Sequence, residues 1–197
     1  MTDSSNSLVK LPEVSVALIH WPVRDRTGSV VATNVTNFDI HDIARVAKTY
    51  GVHRYFIVHR QREQLMFVNR ILEHWKVGYG AKYNPSRGPA LESVQLAETL
   101  EEVISRFEVP PRIIGTAARV IEGLPRVSFG ELKKQMSMPG ESSYLLVFGT
   151  GYGLTSDLLK SCHAVLEPIK GASPEQFRHL SVRSAVSICL DRLLSTW

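Results

Sequence analysis

Between Leu145 and Thr155 the chain reads LLVFGTGYGLT, an apolar run broken by Gly149, Gly151 and Gly153 before apolar residues resume. Glycine permits a positive φ and lets backbone approach a ligand with no Cβ in between. A strand, a glycine turn and a helix in that order hold nucleotide-like ligands at the C-terminal end of an α/β sheet. Position narrows the choice of ligand. A dinucleotide fold places its turn after the first strand and builds further βα units behind it. Here only 48 residues follow Gly149 in the 197-residue chain. GTGYG is not GxGxxG, and no GxxxxGKS/T occurs.

The segments after the turn offer more. LEPIKG (Leu166–Gly171) ends a strand, and HLSVRSAVSICLDRLL (His179–Leu194) opens a helix at Ser181, a good N-cap residue. Backbone groups at these ends, with Leu166, Ile169 and Leu180 beside them, suit a flat adenine read by main-chain hydrogen bonds and clamped between aliphatic groups. The same features also fit ordinary βα turns. Early in the chain, TNFDIHDIAR sets Asp39, His41 and Arg45 on one helical stretch. Of these, His41 is the group able to titrate near neutrality.

Alternating elements must carry these residues. Val14–Trp21 predicts a strand with both faces covered. A loop with Arg24, Asp25, Arg26 and Gly28 follows, then a helix over Asp39–Tyr50 closed by Gly51. Strand Tyr55–Val58 and helix Gln61–Trp75 come next, then a loop over Gly78–Gly88 and a helix over Leu91–Phe107. Strand Arg112–Thr116, helix Phe129–Gln135, strand Tyr144–Phe148, helix Leu154–Lys160, strand Ala164–Ile169 and helix Ser181–Leu194 complete the order. This alternation predicts an α/β fold with a mostly parallel sheet flanked by helices. Residues 1–12 read as a disordered tail and 13–197 as one domain, since 197 residues suffice to bury a full core.

Composition sets the class. Hydrophobic residues at 44% and charged ones at 21% are ordinary for a soluble globular protein. The net charge of +4 favours polyanionic partners. Cys162 and Cys189 form no CxxC and the seven histidines lack ligand spacing, so neither a metal nor a disulfide scaffold is expected. The polar start MTDSSNS has no apolar core of a signal peptide, and no run nears the roughly 20 apolar residues of a membrane span. A cytoplasmic protein is expected, with no membrane partner.

VFGTGYGL, LEPIKG and HLSVRSAVSICLDRLL together resemble the late motifs of the SPOUT superfamily of S-adenosylmethionine-dependent RNA methyltransferases. TNFDIHDIARVAKTYGVHRYFIV resembles the early motif of its ribose 2′-O branch, and HWPVRDRTG the opening of a stand-alone bacterial family of SAM-dependent RNA methyltransferases. The resemblance runs from Val14 to Leu194. It implies a deep C-terminal trefoil knot, S-adenosyl-L-methionine as cofactor, a homodimer, and tRNA or rRNA as substrate. It also implies a donor pocket of three parts: Thr116, Ala117, Ala118 and Arg119; Phe148, Gly149, Thr150 and Gly151; and Leu166, Ile169, Gly171, Leu180, Ser181 and Ala185.

Arg45 falls where the ribose branch carries its arginine, and Asp39 where that branch carries asparagine. Ribose and base methylation both stay open on that departure. An arginine with a pKa above about 12 suits clamping a phosphate or polarising a nucleophile better than accepting a proton. His41 is the reserve proton acceptor. RNA contact needs cations and aromatic faces, which Arg24 and Arg26 in the early loop and Lys82, Tyr83 and Arg87 in the Gly78–Gly88 loop supply. The alternative is a knotted RNA-binding or scaffold protein that keeps the donor pocket without turnover.

Overall fold

The structure, a computed structural model, describes residues 12–138, 143–175 and 177–196. The tail expected over residues 1–12 lies outside them apart from Pro12. Seven strands form the main sheet: β1 (Glu13–Ile19), β4 (Arg54–Val58), β5 (Val94–Ala97), β6 (Arg112–Gly115), β7 (Arg126–Val127), β8 (Ser143–Gly149) and β9 (Ala164–Leu166). Their order is β5-β4-β1-β8-β6-β9-β7, and every pairing is parallel. Two further strands, β2 (Val23–Arg24) and β3 (Val30–Val31), make a separate antiparallel hairpin.

Both faces of the sheet are covered. Val16 and Leu18 of β1 join one core with Ile40, Ile43 and Val186, while Ala17 and Ile19 join the other with Val103 and Leu158. This double burial explains why β1 and β8 read as continuous apolar runs rather than as alternation. The first face carries α1 (Asn37–Thr49), α2 (Arg62–Lys76), α6 (Phe129–Met136) and α8 (Val182–Leu194); the second carries α5 (Leu100–Ser105) and α7 (Ser156–Ser161). α1 starts in a capping box, Thr36 accepting from the Asp39 backbone N–H and Asp39 bonding back to Thr36. Its far end is tied to α8 by the Tyr50 hydroxyl, which donates to Asp191 at 2.8 Å.

β9 lies between β6 and β7, although it comes last in the chain. The connection over 116–125 therefore crosses from β6 to β7 past β9. Val165 N–H donates to Pro125 O and Glu167 N–H to Val127 O, closing the two strands together.

Three expectations need correction. The helix expected over Leu91–Phe107 divides into edge strand β5 and the short α5, because Thr99 caps a new helix by accepting from Glu102 N–H. The loop expected over Gly78–Gly88 contains α3 (Tyr79–Tyr83) and the start of α4 (Arg87–Leu91). The early loop contains the β2–β3 hairpin, and β7 went unread because two residues are too few for periodicity to register.

Candidate active site

The C-terminal ends of β1, β8, β6 and β9 converge on a cavity of about 1410 Å³. Its walls are the segment after β6, the glycine turn after β8, the chain from β9 into α8, and the hairpin after β1. A cavity this size exceeds the usual range for one small ligand, so it has room for part of a second molecule.

The glycine turn is tightly built. A Cβ on Gly149 would sit 2.6 Å from Leu154 N, and Gly151 and Gly153 take φ of +59° and +97°. The turn is pinned from below and above. Thr150 N–H and its hydroxyl both donate to Ile19 O at 3.1 Å. The hairpin clamps the outer side: Arg24 N–H donates to Gly153 O and Tyr152 N–H to Arg24 O, both at 2.9 Å. A Cβ on Gly151 would meet Arg24 O at 3.0 Å, so its glycine is demanded by the hairpin and the positive φ. On the next strand, Thr116 donates its hydroxyl and its N–H to Val147 O.

Most of the expected donor pocket is brought together. Thr116, Ala117, Ala118, Arg119, Phe148, Gly149, Thr150, Gly151, Leu166, Ile169, Leu180, Ser181 and Ala185 all line the cavity. Gly171 does not; it is exposed with open space around it. Ser181 caps α8, its hydroxyl accepting from Ser184 N–H. Cys189 also borders the cavity, burial pushing its thiol up to about 12 and so keeping it protonated.

The polar groups divide differently from expectation. Asp39 lines the cavity and is buried, with Arg183 at 3.9 Å from Oδ1 and Thr36 on Oδ2. Arg183 also reaches Asp42 at 3.6 Å and lies over the Phe38 ring. Arg24 and Arg26 line the cavity as well, and Arg24 Nε is buried with no hydrogen-bond partner. Arg45 and His41 lie outside it. Six residues on from Asp39, Arg45 projects about 120° away around the helix and is exposed. His41 is buried edge-on against Trp75 at 5.6 Å, a position at odds with proton transfer inside this cavity. Lys82, Tyr83 and Arg87 sit on α3 and α4, also away from the cavity.

Several cavity residues escaped the sequence. His20, Thr33, Asn34, Asp25 and Tyr152 belong to the wall. His20 reads as an isolated histidine, yet it is fully buried, with Nδ1 3.1 Å from the Thr33 hydroxyl. Burial holds its pKa down at about 4, against a smaller upward pull from Asp39, so the ring is neutral at pH 7. The signal available was the HWPVRDRTG segment as a whole, which ties the hairpin to the turn.

The arrangement fits an adenosyl sulfonium. Leu166, Ile169 and Leu180 form apolar walls, glycine backbone leaves space without Cβ atoms, and one buried carboxylate, Asp39, faces the same cavity. Among the described residues no group of three or more His, Cys, Asp or Glu could hold a metal, and no helix is long and apolar enough to cross a membrane.

Comparison with known proteins bears on the same residues. A protein of Aquifex aeolicus with no assigned activity is 39% identical over 188 residues, covering 92% of this chain and 88% of its own. A tRNA (guanine-N(1)-)-methyltransferase of Oleidesulfovibrio alaskensis is 38% identical over 182 residues; the chain spans only 41% of that protein's length. Among solved structures, a methylase family protein from Neisseria gonorrhoeae superposes with a TM-score of 0.62 at 20% identity, over 94% of this chain and 83% of that one. This last likeness carries the fold alone. The pattern of one family, described as SAM-dependent RNA methyltransferase, matches residues 13–195, nearly everything from β1 to the end of α8. The chain with the clamped glycine turn thus belongs to the SAM-dependent RNA methyltransferase family.

Proposed function

We propose that this chain moves a methyl group from S-adenosylmethionine to a nucleotide of tRNA or rRNA, as a cytoplasmic homodimer with a threaded C-terminal knot. The observation that carries the reading is the cavity itself, about 1410 Å³, walled by the segment after β6, the clamped glycine turn, the chain from β9 into α8 and the hairpin after β1. The tRNA methyltransferase relative supports RNA of that class as substrate.

When bound, the donor supplies a methyl on a sulfonium, already activated for in-line displacement. The protein's own task is then positioning and the management of one proton. Thr116–Arg119, the glycine turn and Leu166, Ile169 and Leu180 hold the donor. Asp39, a buried carboxylate in the cavity wall, would supply negative charge to the cavity that receives the sulfonium. Arg24 and Arg26 hold the phosphate beside the target nucleotide, and the buried, unpartnered Arg24 Nε is a donor suited to it. As the nucleophile–methyl bond forms, the methyl–sulfur bond would break to leave a neutral thioether, and the proton released by the nucleophile would pass to solvent.

Pairing of two copies completes the site, bringing Arg45 of one copy to the cavity mouth of the other to polarise the nucleophile. Two observations support this. Arg45 is absent from the wall of its own cavity, and the exposed apolar residues Phe177, Leu180 and Tyr152 rim that opening.

Transfer of labelled methyl to total RNA from cells lacking the gene tests the reading, with mass spectrometry locating the modified nucleotide. Label entering one nucleotide is expected. Donor binding without incorporation would favour the scaffold alternative.

A further inference from the structure

Away from the cavity, Trp75 organises a second cluster. The Arg87 guanidinium lies over its ring at 4.6 Å, and His41 meets the same ring edge-on at 5.6 Å. Arg45 lies one helical turn beyond His41 on the same face of α1. α3, which precedes Arg87, is closely fitted: a Cβ on Gly80 would lie 2.7 Å from Trp75, and one on its N-cap Gly78 2.7 Å from His74 O. His41 is 8% exposed, and its Nδ1 is buried with no hydrogen-bond partner.

The charges there are uncompensated. Among the described residues no carboxylate lies within ion-pair distance of Arg45 or Arg87. Asp42, the carboxylate bearing on His41, is engaged by Arg183. Burial first, then Arg87 and less so Arg45, hold the His41 pKa down against the pull of Asp42. Beside the cluster, Tyr79 and Tyr83 stack at 6.3 Å with rings 22° apart, at 74% and 76% exposure, and Lys82 of the same helix is exposed.

We infer that His41, Arg45 and Arg87 form an anion site for an RNA phosphodiester, with Tyr79 and Tyr83 as the platform for the unpaired base beside it. This rests on the reading of RNA as substrate. Arg87 and Arg45 both bear electrostatically on His41 without a carboxylate of their own, so an entering phosphate gains charge-assisted bonds from the two guanidinia. Stacked, exposed tyrosines suit bases of a single strand.

Filter binding of a labelled twelve-residue oligouridylate across a salt series tests the site. Arg87→Ala and Arg45→Ala should each weaken binding and lower the slope of log affinity against log salt by about 0.7, one phosphate contact on a single strand. Donor affinity by calorimetry should stay unchanged in Arg87→Ala. In NMR titrations the His41 pKa should rise with oligouridylate and stay put with its uncharged methylphosphonate analogue. Unchanged slopes in both variants would overturn the site, even if the wild type methylates RNA. Loss of methyl transfer to any RNA, with the slopes still falling, would instead sink the proposed function and leave the site standing. A dimer split by Arg87→Ala at an unaltered salt slope would assign the cluster to subunit contact and overturn the inference.

Discussion

Thr33 and Thr150, 117 positions apart in the chain, share a hydroxyl–hydroxyl hydrogen bond in the cavity wall. Because the Thr150 hydroxyl donates to Ile19 O, its oxygen is left to accept from Thr33. The Thr33 oxygen is then left to accept from His20 Nδ1–H. One relay thus joins β1, the hairpin strand's exit and the glycine turn, and it selects the Nδ1–H tautomer of His20.

Breaking that relay should be felt at the donor. Thr33→Val keeps shape but removes the hydroxyl, leaving His20 Nδ1 unsatisfied, a loss of about 1–3 kcal/mol. Calorimetry should show donor affinity reduced roughly tenfold, which corresponds to about 1.4 kcal/mol. Wild-type affinity in the variant would detach the hairpin from donor binding.

The turn should tolerate no side chain at two of its glycines. Gly149→Ala drives a Cβ into Leu154 backbone, and Gly151→Val drives one against Arg24 O at a positive φ. Each change should lower stability by about 1–3 kcal/mol and abolish measurable donor binding. Gly153, with open space for a Cβ but φ of +97°, should suffer from strain alone. A folded Gly149→Ala protein with normal donor affinity would remove the turn from the site.

Arg45→Ala should separate binding from transfer. The side chain is exposed and lines no part of its own cavity, so stability should move by less than about 0.5 kcal/mol and donor affinity not at all. Labelled methyl transfer should fall about a hundredfold. Equal losses in both assays would mean that Arg45 supports the donor site structurally.

Acid should destabilise the fold through its buried histidines. Burial holds His20 at about 4 in the folded protein against 6.5 when unfolded. As pH falls, the unfolded chain takes up that proton first. The stabilisation is complete above pH 6.5 and shrinks by up to about 3 kcal/mol on the way down to pH 4. His41 and His59, also lowered by burial, act in the same direction. Urea unfolding at pH 7.5 and pH 4.5 should show this loss, and His20→Gln should shrink it. An identical pH dependence in that variant would point to other groups.

Local pattern made much of this legible. Continuous apolar runs marked β1, β4 and β8, and the spacing of Ile40, Ile43, Ala44 and Ala47 marked α1, because burial on one or both faces leaves a direct periodic trace. The edge strand β5 was read as helix, since Val94–Ala97 alone cannot reveal that β4 offers it a free edge. His20 and Thr33 were missed for a related reason: their partners come from the far end of the chain.

By itself the order of residues determined the alternating α/β class, the glycine turn and the apolar late segments, for these depend on neighbours a few positions apart. Only the tertiary structure decided that Asp39 faces the cavity while His41 packs against Trp75 and Arg45 stands exposed outside it, and that a hairpin clamps the turn. Spacing gives the angle between Asp39 and Arg45 around the helix, but which of them meets the cavity follows from contacts between distant segments, which no local spacing encodes.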